Sequence, residues 1–107
     1  MAPCAKPSSV PLPVDAVLPA VAASLAANRP VVLQAPPGSG KTTRTAPFLL
    51  DAPWLRGRKI LMLEPRRLAA RAAAYYMARQ RDEAVGQTVG YHIRLDRQAG
   101  PRTRIEI

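Results

Sequence analysis

The stretch that most constrains this chain is Ala35-Pro36-Pro37-Gly38-Ser39-Gly40-Lys41-Thr42. A short apolar run, Val31-Val32-Leu33, precedes it, and a segment of helical character follows. Strand, glycine-containing loop and helix start, in that order, form the layout of a phosphate-binding loop. Gly38 and Gly40 permit backbone conformations that turn successive N–H groups inward toward phosphate oxygens. The following helix offers unpaired N–H groups and its positive dipole end to the same anion. Lys41 places a point charge near the β- and γ-phosphates, and the Thr42 hydroxyl suits a Mg²⁺ ligand. The tail Gly-Ser-Gly-Lys-Thr fits the Walker A pattern G-x-x-x-x-G-K-[ST], except that Ala35 replaces its first glycine. Nucleoside triphosphate binding is the chemistry this pattern serves. The plain structural alternative is a turn of small residues that binds nothing.

Charge points to a second ligand class. The 107 residues hold 16 Lys plus Arg against 7 Asp plus Glu, a net charge of +9, and arginine supplies most of it. Such a balance suits a polyanion, most simply nucleic acid, or an acidic membrane surface. A merely solvated basic surface is the alternative. Cys4 is the lone cysteine, so no disulfide framework follows, and the lone His92 has no partners at metal-ligand spacing. No apolar run approaches the roughly 18 residues that span a bilayer. Pro3, Pro7, Pro11 and Pro13 interrupt any signal-peptide core, and a reduced cytoplasmic setting is expected.

Along the chain, residues 1–13 are expected to be a flexible, proline-containing lead-in. Residues 14–27 carry helical spacing, with Asp15 capping an opening turn and Pro19 near a helix start. Residues 31–34 are expected as a strand covered on both faces, then the loop, then a helix to about residue 50 that Pro47 kinks or shortens. Residues 51–58 form a loop, and 59–63 a second buried strand, which makes a βαβ unit in a parallel sheet. Pro65, Arg66 and Arg67 then sit at the sheet edge where ligands of open α/β sheets bind, and two forked guanidinium groups there can grip phosphate. A helix is expected over 68–80, with one of Tyr75 and Tyr76 in the core and the other more exposed. A strand follows at 88–95 with Gly90 inside it, then a turn-rich loop at 96–102. A further strand starts at 103, and a chain that stops inside it looks truncated.

Three segments share order and spacing with a known family: 35–43, 63–71 (Leu-Glu-Pro-Arg-Arg-Leu-Ala-Ala-Arg) and 89–96 (Val-Gly-Tyr-His-Ile-Arg-Leu-Asp). Together they resemble the first RecA-like domain of superfamily 2 DEAH-box helicases, most closely the bacterial HrpB type of ATP-dependent RNA helicase. The resemblance covers about residues 11–107. It implies an α/β fold, a partial RecA-like P-loop domain with a parallel sheet flanked by helices. It also implies an ATP- and Mg²⁺-dependent motor on RNA. Pro37, Gly38, Ser39, Gly40, Lys41, Thr42 and Thr43 would hold the triphosphate, with Lys41 and Thr42 catalytic and Thr42 on the metal. Pro65, Arg66 and Arg67 would hold the nucleic-acid backbone, with Arg94 as a weaker RNA-side or structural candidate. By count, Tyr76 stands where the family places an adenine-stacking arginine, and a tyrosine ring can stack on a base. The family's Asp-Glu-x-His motif and its second RecA-like domain would lie beyond residue 107, so the chain alone should barely hydrolyse nucleotide. The rivals are another P-loop enzyme, such as a small-molecule kinase, and a non-catalytic basic module that binds nucleic acid.

Overall fold

Helix α3, Arg67–Gln80, organises the core, and its sequence shows why. It is rich in alanine, the best helix former, and it buries Ala70, Ala73, Ala74, Met77 and Ala78 along one stripe. Those small side chains let the helix lie close on the sheet, where it packs against strand β2, Val89–Ile93. The computed structural model describes residues 12–107. Most of the expected lead-in, including Cys4, lies outside the described residues.

The sheet has four strands in the order β1-β4-β2-β3. β1 is Ile60–Leu61, β3 is Asp96–Gln98 and β4 is Ile105–Glu106. β4 runs parallel to both β1 and β2, with Ile105 paired to Ile60 on one side and Val89 on the other. That places Ile105 and Val89 in the fully buried centre. Main-chain bonds extend the ladder beyond the strands, from Ile60 N to Arg104 O (2.7 Å), Met62 N to Glu106 O (2.9 Å) and His92 N to Ile107 O (2.7 Å). The fold is therefore α/β, with a mostly parallel mixed sheet flanked by helices.

Three expectations change. Residues 31–34 form no strand, and no ladder partner for them exists among the described residues. Val32 is 96% exposed, because an apolar run becomes a covered strand only where neighbours pair with it. The βαβ unit expected across residues 31–63 is accordingly absent, and the parallel pairing comes from β4 instead. The segment at 59–63 is a strand over only two residues, and Leu63 is as exposed as Val32. The loop at 96–102 contains β3, which pairs antiparallel with β2 through Ile93–Asp96, His92–Arg97 and Tyr91–Gln98. Arg94 and Leu95 form the two-residue turn, with Leu95 at φ 68°. Gly90 matters here: a side chain on it would collide with the Gln98 carbonyl and crowd Ala99.

The N-terminal part begins with a 3-10 turn, Pro13–Ala16, followed by α1, Leu18–Ala26, with Pro19 as its second residue. The single helix expected over 14–27 is thus two pieces. Pro19 has no N–H to donate, which suits a helix's first turn. Asn28, at φ 66°, ends the element. Helix α2, Lys41–Leu49, accommodates Pro47 in its last turn, and Ala46 and Leu50 join the core built on α3.

Candidate nucleotide-binding site

The loop ahead of α2 is shaped by two left-handed glycines, Gly38 at φ 81° and Gly40 at φ 94°. A side chain at Gly38 would meet nothing within 4 Å, so only its backbone angle favours glycine. At Gly40 both angle and space do, since a Cβ would lie 2.7 Å from Leu12 Cδ1 and 3.0 Å from Arg44 Cγ. Between them Ser39 donates its N–H to Pro36 O at 3.2 Å. The first helical hydrogen bond of α2 runs from Arg44 N to Gly40 O at 2.8 Å. The N–H groups of Lys41, Thr42 and Thr43 precede it and have no partner within the helix. No side-chain cap and no acidic residue occupies this helix start. It is an open, positive helix end.

Lys41 folds back over the loop and donates from Nζ to Ala35 O at 2.6 Å. Ala35 thereby closes the ring of the loop through its carbonyl, which does not require the glycine of the Walker A pattern. Lys41 and Thr42 are exposed, and Thr45 donates from Oγ1 to Lys41 O at 2.7 Å, which stiffens the first turns.

A cavity of about 410 Å³ lies elsewhere, beside the end of α3, but the cavity at the loop holds about 370 Å³. Leu12, Gly38, Gly40, Lys41, Thr42, Thr43 and Tyr76 line it. Five expected phosphate-site residues and the expected base-side residue therefore converge on one space, although Tyr76 is 33 residues beyond Thr43. Two others do not line it. Pro37 is exposed outside it, and Ser39 is 3% exposed with an Oγ that has no hydrogen-bond partner. Tyr75 and Tyr76 are both about two-fifths exposed, so neither is the core residue expected of one of them. They face different neighbours. The Tyr75 ring lies 6.2 Å from the Tyr91 ring, with Arg71 5.6 Å from the Tyr75 centroid, while Tyr76 borders the loop cavity.

The arginine segment is separate. Arg66 caps α3 and Arg67 begins it, past the C-terminal end of β1. Both are exposed, as is Pro65. Cations at a helix N-terminus face the unfavourable end of the dipole. Glu64 supplies a local answer, with Oε1 3.3 Å from both Arg66 N and Arg66 Nε. Arg94 sits exposed in the β2–β3 turn, and no described contact joins it to Arg66 or Arg67. Sequence reasoning missed Leu12 and Glu64. Glutamate two residues before an arginine was a usable signal; for Leu12, within an expected flexible lead-in, there was none. Behind the turn, Tyr91 donates its hydroxyl to Asp96 Oδ2 at 2.7 Å, and this bond, with burial and the Asp96 charge, raises the Tyr91 pKa above its ordinary value. Among the described residues no group of three or more His, Cys, Asp and Glu could hold a metal. No helix among the described residues is long and apolar enough to cross a membrane.

The fold is an α/β unit with a glycine-containing loop at an uncapped helix start. Comparison with known proteins narrows the class. No family model matches the chain. The ATP-dependent RNA helicase HrpB of Escherichia coli is 47% identical over 96 residues, 90% of this chain and 12% of that protein. The ATP-dependent RNA helicase HrpA of Borreliella burgdorferi is 35% identical over 77 residues, 72% of this chain and 9% of that protein. The crystal structure of the Escherichia coli DEAH/RHA helicase HrpB superposes with a TM-score of 0.81 at 47% identity, over 89% of this chain and 12% of the other. The chain is thus a relative of the DEAH-box ATP-dependent RNA helicases, of the HrpB type, and it spans about an eighth of the length of HrpB.

Proposed function

We propose that this chain is the ATP-binding, N-terminal part of a RecA-like domain in an ATP-dependent RNA helicase. The observation that carries this is the shared cavity. The loop glycines, Lys41, Thr42, Thr43 and Tyr76 border one space at an uncapped helix start. On ATP binding, the backbone N–H groups of residues 38–43 would hold the phosphates. Lys41 would leave the Ala35 carbonyl for the β- and γ-phosphates. Thr42 would offer its hydroxyl to Mg²⁺, which supplies charge neutralisation at the phosphates. The residues fit this role: Thr42 is exposed, and among the described residues Lys41 Nζ donates to a carbonyl that an anion can outcompete. Ser39, buried in the loop, does not line the cavity, and its Oγ has no hydrogen-bond partner among the described residues.

On the nucleic-acid side, Pro65, Arg66 and Arg67 would contact the RNA backbone, with Arg94 as a further contact from the hairpin turn. Such contacts follow phosphate rather than sequence and weaken with salt. Glu64 holds Arg66 until a phosphate takes its place. The carboxylates that position Mg²⁺ and water would come from an Asp-Glu-x-His motif, which these 107 residues do not contain. The setting is cytoplasmic. The test is nucleotide titration by calorimetry: Lys41→Ala should weaken Mg·ATP binding about ten- to a hundredfold, the worth of a charge-assisted hydrogen bond. Unchanged affinity would refute the site.

A further inference from the structure

The loop cavity has a wall that phosphates do not use. N–H groups and a cation recognise phosphate, and the Leu12 isobutyl group offers neither. Yet Leu12 is held in place by several independent bonds. Its N–H donates to Asp15 Oδ2 at 2.8 Å, and its carbonyl accepts from Asp15 N at 2.9 Å. Asp15 Oδ2 lies 3.7 Å from Arg44 Nη2 on α2. Val14 N–H donates to Ser39 O at 3.1 Å, which ties this turn to the phosphate loop itself. Leu12 therefore rests on Gly40, where an added Cβ would touch its Cδ1. It is half-buried and does not belong to the core cluster on α3. Among the described residues its large apolar companion on the cavity is Tyr76.

We propose that Leu12 is a binding residue for the nucleoside portion, sugar and base, of the nucleotide whose phosphates the loop holds. Tyr76 supplies the aromatic part of the same apolar wall. The proposal rests on the nucleotide assignment of this cavity and adds a contact in a segment outside the Walker A pattern. Leu12 excludes water from one face of the nucleoside, while the 3-10 turn fixes its position before any ligand arrives.

Two ligands separate the roles: Mg·ATP, and Mg·tripolyphosphate, which has phosphates and no nucleoside. Both are titrated into the intact protein by calorimetry. Leu12→Ala should weaken Mg·ATP roughly fivefold, the effect of exposing part of one apolar side chain, and leave tripolyphosphate unchanged. Leu12→Met, which conserves volume, should bind both as the parent does. Equal losses for both ligands in a folded Leu12→Ala protein would overturn the proposal, because Leu12 would then only prop the loop. Unchanged ATP affinity would overturn it as well. Should Leu12→Ala fail to fold, Leu12→Gln decides: selective loss of ATP supports the proposal, and equal or absent loss overturns it. Lys41→Ala is the control for the site, expected to weaken both ligands. If it weakens neither, the nucleotide assignment fails and the Leu12 proposal with it.

Discussion

The two halves of the molecule are built on different terms. From Ile60 onward, α3 and the sheet share one continuous core in which Ala74, Val89 and Ile105 are fully buried. Before that, the segment from Leu12 to Thr45 buries Val14, Leu18 and Val21 outside that cluster, and its loop is tied down by turns and single hydrogen bonds: Val14 to Ser39, Leu12 to Asp15, Lys41 to Ala35. The run leading into the loop has no strand partner among the described residues. One shared core holds the second half; in the first, a few buried side chains hold the helices while local geometry holds the loop. Binding residues collect where packing is thin, as expected for loops set on a rigid scaffold.

The contrast can be broken by substitutions in each half. The largest effect belongs to the core. Met77→Ala should destabilise the fold by about 2–5 kcal/mol, the usual cost of such a cavity, measured by denaturant unfolding. A loss below about 1 kcal/mol would mean that α3 does not carry the core. Next comes Gly40→Ala, which combines a left-handed backbone with the contact to Leu12. It should cost about 1–2 kcal/mol in the same measurement and weaken nucleotide binding. By contrast, Lys41→Ala should shift stability by less than about 0.5 kcal/mol while largely removing Mg·ATP binding. A large stability loss there would show that Lys41 is a structural element of the loop. Val32→Ser should change stability least, within about 0.5 kcal/mol, because its side chain already faces solvent.

The core also has a pH signature. Tyr91 has a raised pKa in the folded state, chiefly through its bond to Asp96. Its contribution is fully present below about pH 10, the ordinary tyrosine value, and is lost as pH rises through the folded value. Asp96→Asn keeps an acceptor but removes the charge, so tyrosinate absorbance should then appear at lower pH. An unchanged titration would refute the assigned cause.

What the residues revealed in advance follows the same division. Motifs whose chemistry is local were legible: the glycines of the loop, the Lys-Thr pair, the helix at 68–80 and the helix start at Pro19. Pairing was less so. Val31-Val32-Leu33 has the composition of a buried strand, yet burial depends on neighbours that lie elsewhere in a chain. Asp96-Arg97-Gln98 has none of that composition and is a strand, because the turn at Arg94-Leu95 folds it onto β2. The convergence of Tyr76 on the loop came from the family resemblance, whereas its contact with the same space as Leu12 required coordinates.

Tyr75 and Tyr76 are joined by one peptide bond, project about 100° apart around α3 and meet different neighbours. Tyr75 is seated against Tyr91, whose hydroxyl holds Asp96 at the base of the hairpin turn that carries Arg94. Tyr76 borders the space above the phosphate loop. Helix α3 cannot roll about its axis to carry Tyr76 further over that space without unseating Tyr75 from Tyr91. One rigid helix thus carries both rings, so a rotation of its backbone would be felt at the loop and at the hairpin together.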